Sequence, residues 1–369
     1  MGRTEMDDND VRPERFGLRS PGVDALRLAV VGAGRIGANH AEIVARRIPG
    51  VRLVAVADPV ESAAQRLASE LGAEPASLED VLARDDVDGV LISAPARAHA
   101  DLVVAAAAAG KHVFCEKPMA VTLADAERAV GAAEEAGVVL QVGFNRRFAP
   151  GFVASRARID DGQVGNPQIL RSLTRDPGPF AGDPARVPQW TIFLETLIHD
   201  FDILCWLNPG ATPQRVHAFA DALVSPEARS RGHLDTAVVS IQFDNGAIAT
   251  ADANFSALYG YDVRAEVFGS KGMVTTGNAR ATDMTFYDAD GIHTDTSRRD
   301  TDLLRSAYVA ELTAFADSIL HGSPVRATGA EARTALSIAL AAIRSVETGA
   351  TVAIADVDTA VHGLSTGAA

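Results

Sequence analysis

Two segments of the chain carry side chains that could move a proton. Lys117 follows an apolar, strand-like run, and a lysine ammonium there can hydrogen-bond a reacting hydroxyl and stabilise its oxygen. Glu195 and His199 are four residues apart in a helical pattern, so they should share one helix face. A histidine beside a carboxylate can accept a proton while the carboxylate orients the ring. The alternatives are a solvated lysine and an ordinary ion pair on a helix surface.

A glycine-rich loop near the N-terminus has the spacing of a dinucleotide-binding turn. Gly32, Gly34 and Gly37 form a G-x-G-x-x-G motif between a strand pattern and a helix pattern, with Arg35 and Ile36 inside it. There the glycines allow a tight turn, a close approach to a pyrophosphate, and packing of the helix on the strand. The alternative is a plain strand-to-helix turn without a ligand.

An acidic residue ends the second predicted strand. Asp58 comes 21 residues after Gly37, where a carboxylate can bind both ribose hydroxyls of a dinucleotide. The same carboxylate would repel a 2′-phosphate, so the sequence predicts NAD as the cofactor rather than NADP. A second role as a helix N-cap is compatible with this one.

These residues must be positioned by a parallel sheet. The sequence predicts strands and helices that alternate, with strands over 28–31, 51–57, 87–93, 112–115 and 138–144 and helices over 36–47 and 60–71. Ligands bind at the carboxyl ends of such strands. The predicted cofactor contacts are Gly32, Gly34, Arg35, Ile36, Gly37, Asp58, Ser93, Pro95, Glu116 and Lys117.

The pattern changes after about residue 150. Strands are predicted over 169–174, 216–220, 237–243, 247–255 and 263–268, and Asp244-Asn245-Gly246 is a hairpin turn signal. Helices are predicted over 303–320 and 330–347. We therefore predict a flexible tail over residues 1–26, an α/β cofactor-binding domain over 27–148, and an α+β domain over 149–369 with a largely antiparallel sheet. The last helix of this second domain could pack back on the first.

The bulk composition excludes several classes of partner. The 369 residues carry a formal net charge of −14, which argues against nucleic acid and anionic membranes, because both need basic patches. No apolar stretch reaches the roughly 18 to 20 residues that span a bilayer, and the N-terminus has no apolar leader segment. The two cysteines, Cys115 and Cys205, fit a reducing compartment, so the cytoplasm is expected. Glu195 and His199 also have metal-ligand spacing, but no third ligand is evident, and no metal is expected.

Several motifs in order resemble the glucose–fructose oxidoreductase/inositol dehydrogenase family over nearly the whole chain after the tail. They are the loop from Gly32 to Gly37, Glu116-Lys117-Pro118, the segment 143–148, the helix from Glu195 to Trp206, and the segment 268–272. Tyr259-Gly-Tyr261-Asp262 resembles the inositol dehydrogenase branch in particular. The resemblance implies a Rossmann domain followed by a domain with an open antiparallel sheet, and a homotetramer assembled through that sheet. It implies an NAD-dependent dehydrogenase of a cyclitol or sugar, in which Lys117 holds the reacting hydroxyl and His199 is the base.

The resemblance also implies substrate contacts and shows departures from the family pattern. Arg146, Thr174, Asp176, Tyr259 and Tyr261 are the expected substrate-binding residues. Inositol dehydrogenases usually carry Asp at the position of Glu195, and His and Asn at those of Thr174 and Asp176. Two other functions stay open: an NAD-dependent glycoside hydrolase, which would consume no net NAD, and a non-catalytic sugar or NAD sensor, which would be expected to lose the lysine or the histidine.

The candidate residues have plainer alternatives. Tyr259 and Tyr261 alternate on a strand-like segment and could be ordinary sheet packing. Arg146 and its neighbour Arg147 could be a solvated pair. His99 is expected to start a helix rather than act in catalysis.

Overall fold

The structure, a computed structural model, describes residues 25–178 and 187–357. Most of the predicted tail over residues 1–26 lies outside this range, and the first strand begins at Leu26. Within the described ranges, no helix is both long enough and apolar enough to cross a membrane.

The first part of the chain forms a parallel sheet with helices packed on it. Alternate residues of the first strand enter two different hydrophobic cores. Ala29 and Val31 belong to one core, and Leu28 and Val30 belong to the other. This is the period-two pattern of a strand that is buried on both faces. The strands are β1 (Leu26–Val31), β2 (Val51–Ala57), β3 (Glu74–Ala76), β4 (Gly89–Ile92), β5 (His112–Cys115) and β6 (Leu140–Val142), in the order β3-β2-β1-β4-β5-β6.

The helices of this part follow the strands in turn. They are α1 (Arg35–Arg47), α2 (Glu61–Leu71), α3 (Leu78–Ala83), α4 (Ala96–Ala108) and α5 (Leu123–Ala136). A 3₁₀ turn over Asn145–Phe148 and α6 (Pro150–Asp160) lead into the second sheet. The short strand β3 was not predicted, because only three residues form it and none of them is buried.

The second sheet has seven strands in the order β12-β11-β7-β10-β9-β8-β15. Its members are β7 (Pro167–Arg175), β8 (Pro213–Asp221), β9 (Thr236–Phe243), β10 (Ile248–Asn254), β11 (Asp262–Gly269), β12 (Met273–Asn278) and β15 (Val352–Ala353). All neighbours are antiparallel except β7 and β10, which run parallel. Gly246 at φ +86° closes the predicted turn between β9 and β10. A separate hairpin joins β13 (Arg280–Asp288) to β14 (Gly291–Thr296).

The remaining helices connect the two sheets. A π-helical turn over Ile192–Leu197 runs directly into α7 (Ile198–Trp206), and α8 (Asp300–Leu303), α9 (Arg305–His321) and α10 (Gly329–Thr348) follow the hairpin. Side chains of α9, including Leu312 and Phe315, enter the core that α1 and α2 form with the first sheet. Helix α10 begins with a capping box between Thr328 and Glu331 and contacts both α5 and β8. The predicted fold class, a Rossmann-type parallel sheet followed by a mostly antiparallel sheet, is confirmed.

Candidate active site

The glycine loop lies between β1 and α1 and has the geometry that a dinucleotide needs. Gly32 adopts φ +104°, and a Cβ there would lie 2.6 Å from the carbonyl oxygen of Ser93. A Cβ on Gly37 would lie 1.8 Å from the carbonyl oxygen of Gly32, so only glycine lets α1 approach the strand. A Cβ on Gly34 would face open space, which leaves the backbone accessible to a phosphate. Gly32 and Gly37 are therefore required by the packing of the loop itself, whereas glycine at position 34 matters only for a phosphate that approaches the loop.

Asp58 stands at the end of β2 beside this loop. Its Oδ2 accepts the backbone N–H of Ala33 at 2.7 Å, and its Oδ1 accepts that of Val60 at 2.8 Å. Asp58, Gly32, Gly34, Ser93 and Pro95 line one cavity. The carboxylate thus ties the glycine loop to the second strand end. The alternative role of Asp58 as the N-cap of α2 is wrong, since α2 begins at Glu61 and its N-cap residue is Val60.

A second cavity of about 360 Å³ lies between the two sheets and shares Ser93 and Pro95 with the first. That volume is in the range of small-molecule sites. Predicted residues that line it are Arg35, Ile36, Ser93, Pro95, Glu116, Lys117, Arg146, Thr174, Asp176, Glu195, His199 and Tyr261. The fold therefore gathers twelve of the predicted residues around one cavity, which opens beside the glycine loop.

Lys117 follows β5, and its ammonium group contacts Glu195. Nζ donates to the backbone oxygen of Glu195 at 3.0 Å and to its Oε2 at 3.2 Å. Glu195 was expected to hold either His199 or the substrate, and the first of these is wrong: among the described hydrogen bonds, Glu195 bonds Lys117 and not the histidine. The reason is local, because the turn that carries Glu195 is π-helical and α-helical spacing begins only at Ile198. Wider turns of this kind are frequent at functional sites. Contact of Glu195 with the substrate stays a prediction.

His199 lies in the first turn of α7, with one ring nitrogen buried and the ring in the cavity. Its Nδ1 has no hydrogen-bond partner among the described residues, and Phe144 packs edge-on at 6.1 Å. Burial, with the positive charges of Lys117 and Arg146, lowers the pKa of His199 well below its ordinary value. The imidazole is therefore neutral at neutral pH and able to accept a proton.

The neighbouring arginines of the 3₁₀ turn are both buried and face different partners. Arg146 donates to Asp200 at 2.8 Å and to the hydroxyl of Thr174 at 2.7 Å, and its Nε has no partner among the described residues. Arg147 forms a bidentate pair with Asp202, with distances of 2.6 and 2.8 Å. The alternative of a solvated pair is therefore wrong. Sequence reasoning also missed Asp200, although it directly follows His199.

Asp176 and Tyr261 meet across the cavity. The Tyr261 hydroxyl donates to Asp176 Oδ2 at 2.6 Å, and burial together with this carboxylate raises the pKa of Tyr261 well above its ordinary value. The expectation that Tyr259 shares a strand face with Tyr261 is wrong, because the two lie in a loop that precedes β11. Tyr259 is half exposed, bonds Asp262 and does not line the cavity.

Other residues also line the cavity without any signal in the spacing of the sequence, among them Asp300 and His99. Asp300, at the start of α8, pairs with Arg35 at 2.6 Å and so joins the glycine loop to the second half of the chain. His99 is buried in the first turn of α4, as a helix-start residue, but its two nitrogens reach the carbonyl oxygens of Pro118 and Ala94 at 2.8 and 2.7 Å. It therefore holds together the two loops that lie beside Lys117.

Comparison with known proteins agrees with this geometry. Residues 26–144 match an oxidoreductase family with an NAD-binding Rossmann fold, and residues 152–275 match the GFO/IDH/MocA C-terminal domain. The chain is 37% identical over 328 residues to the myo-inositol 2-dehydrogenase of Thermotoga maritima, covering 87% of this chain and 96% of that protein. It is 35% identical over 343 residues to the scyllo-inositol 2-dehydrogenase (NAD(+)) of Bacillus subtilis, covering 92% and 99%.

A solved structure extends the comparison to bound ligands. The scyllo-inositol dehydrogenase of Lactobacillus casei, with bound NAD(H) and scyllo-inositol, matches with a TM-score of 0.86 at 28% identity, covering 90% of this chain and 100% of that chain. Together with the match to an NAD-binding domain, this confirms the prediction of NAD as the cofactor.

Proposed function

Because the chain belongs to the GFO/IDH/MocA oxidoreductase family, we propose that it oxidises one ring hydroxyl of an inositol-like cyclitol or related sugar with NAD. One observation carries the proposal: a lysine and a neutral histidine face one cavity that adjoins the glycine loop. A sensor would need neither group at that place.

The chemistry divides between the cofactor and the chain. NAD, when bound, supplies a nicotinamide ring that accepts a hydride from the carbinol carbon. The Lys117 ammonium hydrogen-bonds the reacting hydroxyl, and the neutral ring of His199 takes its proton. Glu195 holds the lysine ammonium through a backbone and a side-chain oxygen, so it keeps that donor aimed at the cavity. Gly32, Gly34 and Asp58 would hold the dinucleotide.

The rest of the cavity wall suits a ring with many hydroxyl groups. Asp176 contributes a carboxylate and Arg146 a guanidinium group to this wall. Thr174 is already engaged, because its hydroxyl donates to Asp200 and accepts from Arg146. We propose that Thr174 acts through the arginine rather than by direct contact. Tyr259 stays a predicted substrate contact, but it lies outside the cavity, and this position does not support the role.

The experiment is a panel of inositol isomers, aldoses and anhydrosugars with NAD, followed by the absorbance of NADH. We expect net NADH with at least one inositol isomer, in proportion to product. An NAD-dependent glycoside hydrolase would instead release aglycone from a glycoside without net NADH. No turnover of any member of the panel, by a folded protein that binds NAD, would contradict the proposal.

We also propose a homotetramer that buries the outer face of the second sheet. This face carries exposed apolar side chains on neighbouring strands, since Ile169 pairs with both Ile248 and Phe268, and Phe219 pairs with Val238. An apolar face of this kind usually marks a protein contact. Light scattering at micromolar concentration should give four times the mass of the chain, and a monomer would contradict the proposal.

We also propose that the protein works in the cytoplasm, and the state of its two cysteines supports this. Cys115 and Cys205 are both free thiols, and burial raises the pKa of each, that of Cys205 to about 12. Free thiols without a disulfide partner support the proposal that the protein works in the cytoplasm.

A further inference from the structure

Behind Lys117, three ionisable side chains from three separate elements meet in the interior. His40 belongs to α1, Glu116 follows β5, and Glu311 belongs to α9. His40 and Glu311 are fully buried and Glu116 nearly so, and their polar atoms lie within 4.8 Å of one another. A buried cluster of this kind is costly unless its charges are balanced.

The first two members are hydrogen-bonded to each other, while the other ring nitrogen of His40, Nδ1, has no partner among the described residues. His40 Nε2 lies 2.6 Å from Glu116 Oε1, and the rings of Phe114 and Tyr308 pack edge-on against the imidazole. Burial by itself would raise the pKa of Glu116, but the contact with His40 and the charge of Lys117 outweigh it and bring the pKa below its ordinary value. Glu116 is therefore the ionised carboxylate of the cluster.

Glu311 has no such partner. Neither of its carboxyl oxygens forms a hydrogen bond with a described residue, while its backbone oxygen accepts Gln141 Nε2 at 2.8 Å. Burial and the neighbouring Glu116 charge raise the pKa of Glu311 well above its ordinary range. Two adjacent buried carboxyl groups cannot both ionise cheaply. The titratable groups that face Glu311 are His40, Glu116 and Tyr308. Lys117 acts in turn on Glu116, and Asp300 and Arg35 act on Tyr308.

Glu116 in turn fixes the residue that carries the ammonium group. Its Oε2 accepts the backbone N–H of Lys117 at 3.1 Å. On the other side, a Cβ on Gly143 would lie only 3.1 Å from the carboxyl atoms of Glu116, so glycine there lets the β6 strand end close on it. The carboxylate is thus clamped between two strand ends at the cavity.

We propose that Glu311 is held as a neutral carboxylic acid beside the Glu116–His40 pair, and that this trio positions Lys117 for the reaction. The second half of the proposal rests on the role of Lys117 given above, whereas the first half does not. A proton suits the cluster better than a metal ion. Ligands that share one ion at about 2.1 Å lie roughly 3 Å or more apart, and the His40–Glu116 contact is shorter than that.

The first test measures thermal unfolding of Glu311→Gln and the wild type from pH 6 to pH 9. A protein that keeps a carboxyl group neutral in its folded state loses stability as the pH rises above the pKa of that group in the unfolded state. We therefore expect Tm values within about 2 °C of each other at pH 6, and a smaller decline towards pH 9 in the variant. Glu347→Gln, at an exposed helical position, is the matched control and should follow the wild type.

Two results would overturn the first half. Parallel Tm curves for Glu311→Gln and the wild type would show that no proton is held there. A large loss of stability at pH 6, with one equivalent of a divalent metal in the purified wild type, would make Glu311 a metal ligand.

The second test concerns Glu116→Gln, which keeps the shape and an acceptor oxygen but removes the charge. If the trio positions Lys117, kcat should fall roughly tenfold to a hundredfold while the KM of the cyclitol stays near that of the wild type. A folded variant with unchanged kcat would refute the positioning role. If the wild type oxidises no cyclitol at all, the proposed function fails, and the Tm curves still decide the state of Glu311.

Discussion

The two cavities of the cleft are built in different ways. The cavity beside the glycine loop is lined by the glycine turn, by apolar side chains such as Val60 and Leu78, and by three carboxylates, Asp58, Glu61 and Asp80. The cavity beside Lys117 is lined by charged and hydroxyl-bearing side chains from both sheets and from α7 and α8. Lys117 and His199 line only the second of these cavities, so their replacement leaves the glycine turn and Asp58 untouched. Binding of the cofactor and chemistry on the substrate should therefore be separable by mutation.

The largest effect on catalysis without loss of cofactor binding is expected from Lys117→Ala and His199→Ala. Each removes a group that is needed for transfer of the hydroxyl proton, so kcat should fall by about 10² to 10⁴. Steady-state rates with the best cyclitol of the panel measure this effect. Near-normal kcat of His199→Ala at neutral pH would show that the base has been assigned to the wrong residue.

Substitution of Asp58 tests the cavity beside the glycine loop. Asp58→Ala should raise the KM for NAD by roughly 10-fold to 100-fold, the value of one or two hydrogen bonds to a charged group, with a smaller change in kcat. Asp58→Asn is the matched variant, because an amide oxygen can still accept the N–H of Ala33. In this variant the ratio of kcat/KM with NAD to kcat/KM with NADP should fall by a larger factor than kcat/KM with NAD itself. Wild-type kcat/KM with NADP at or above that with NAD would rule out this role.

Glu195 should have a smaller effect than either catalytic residue. In Glu195→Gln the backbone oxygen still accepts the Lys117 ammonium, so we expect kcat to fall by about tenfold or less. Glu195→Asp withdraws the carboxylate by one methylene and should lower activity if the cavity is adapted to glutamate. A gain of activity towards inositols would instead make Glu195 a determinant of substrate choice. Rates of both variants over the same panel decide between these outcomes.

The smallest effect is one of pH. Only the neutral form of His199 can accept a proton, and its lowered pKa keeps that form dominant below the usual histidine range. As the pH falls from 7.5 to 6.5, kcat/KM for cyclitol oxidation should change by less than about twofold, with its acidic limb below pH 6.5. A midpoint of that limb above pH 7 would be inconsistent with a desolvated imidazole.

The same contrast explains what could be predicted from the sequence. The glycine loop and Asp58 lie on consecutive elements, so their spacing alone indicates the site. Arg146 and Arg147 look equivalent in the sequence, yet their aspartate partners lie 54 and 55 residues away, and only Arg146 lines the cavity beside Lys117. The pairing of Arg35 with Asp300 joins residues 265 positions apart, and no local pattern reports it. The π-helical turn, which turns Glu195 towards Lys117, likewise depends on packing in three dimensions.

Whether cofactor binding is independent of the catalytic side chains can be measured directly. The measurement is the affinity for NAD of the Lys117→Ala/His199→Ala double variant, by calorimetric titration. The loop and Asp58 are untouched in this variant, so we predict a Kd within about threefold of the wild-type value, together with loss of cyclitol oxidation. A Kd raised by roughly a hundredfold or more, in a variant with the wild-type Tm, would contradict the division of labour between the two cavities.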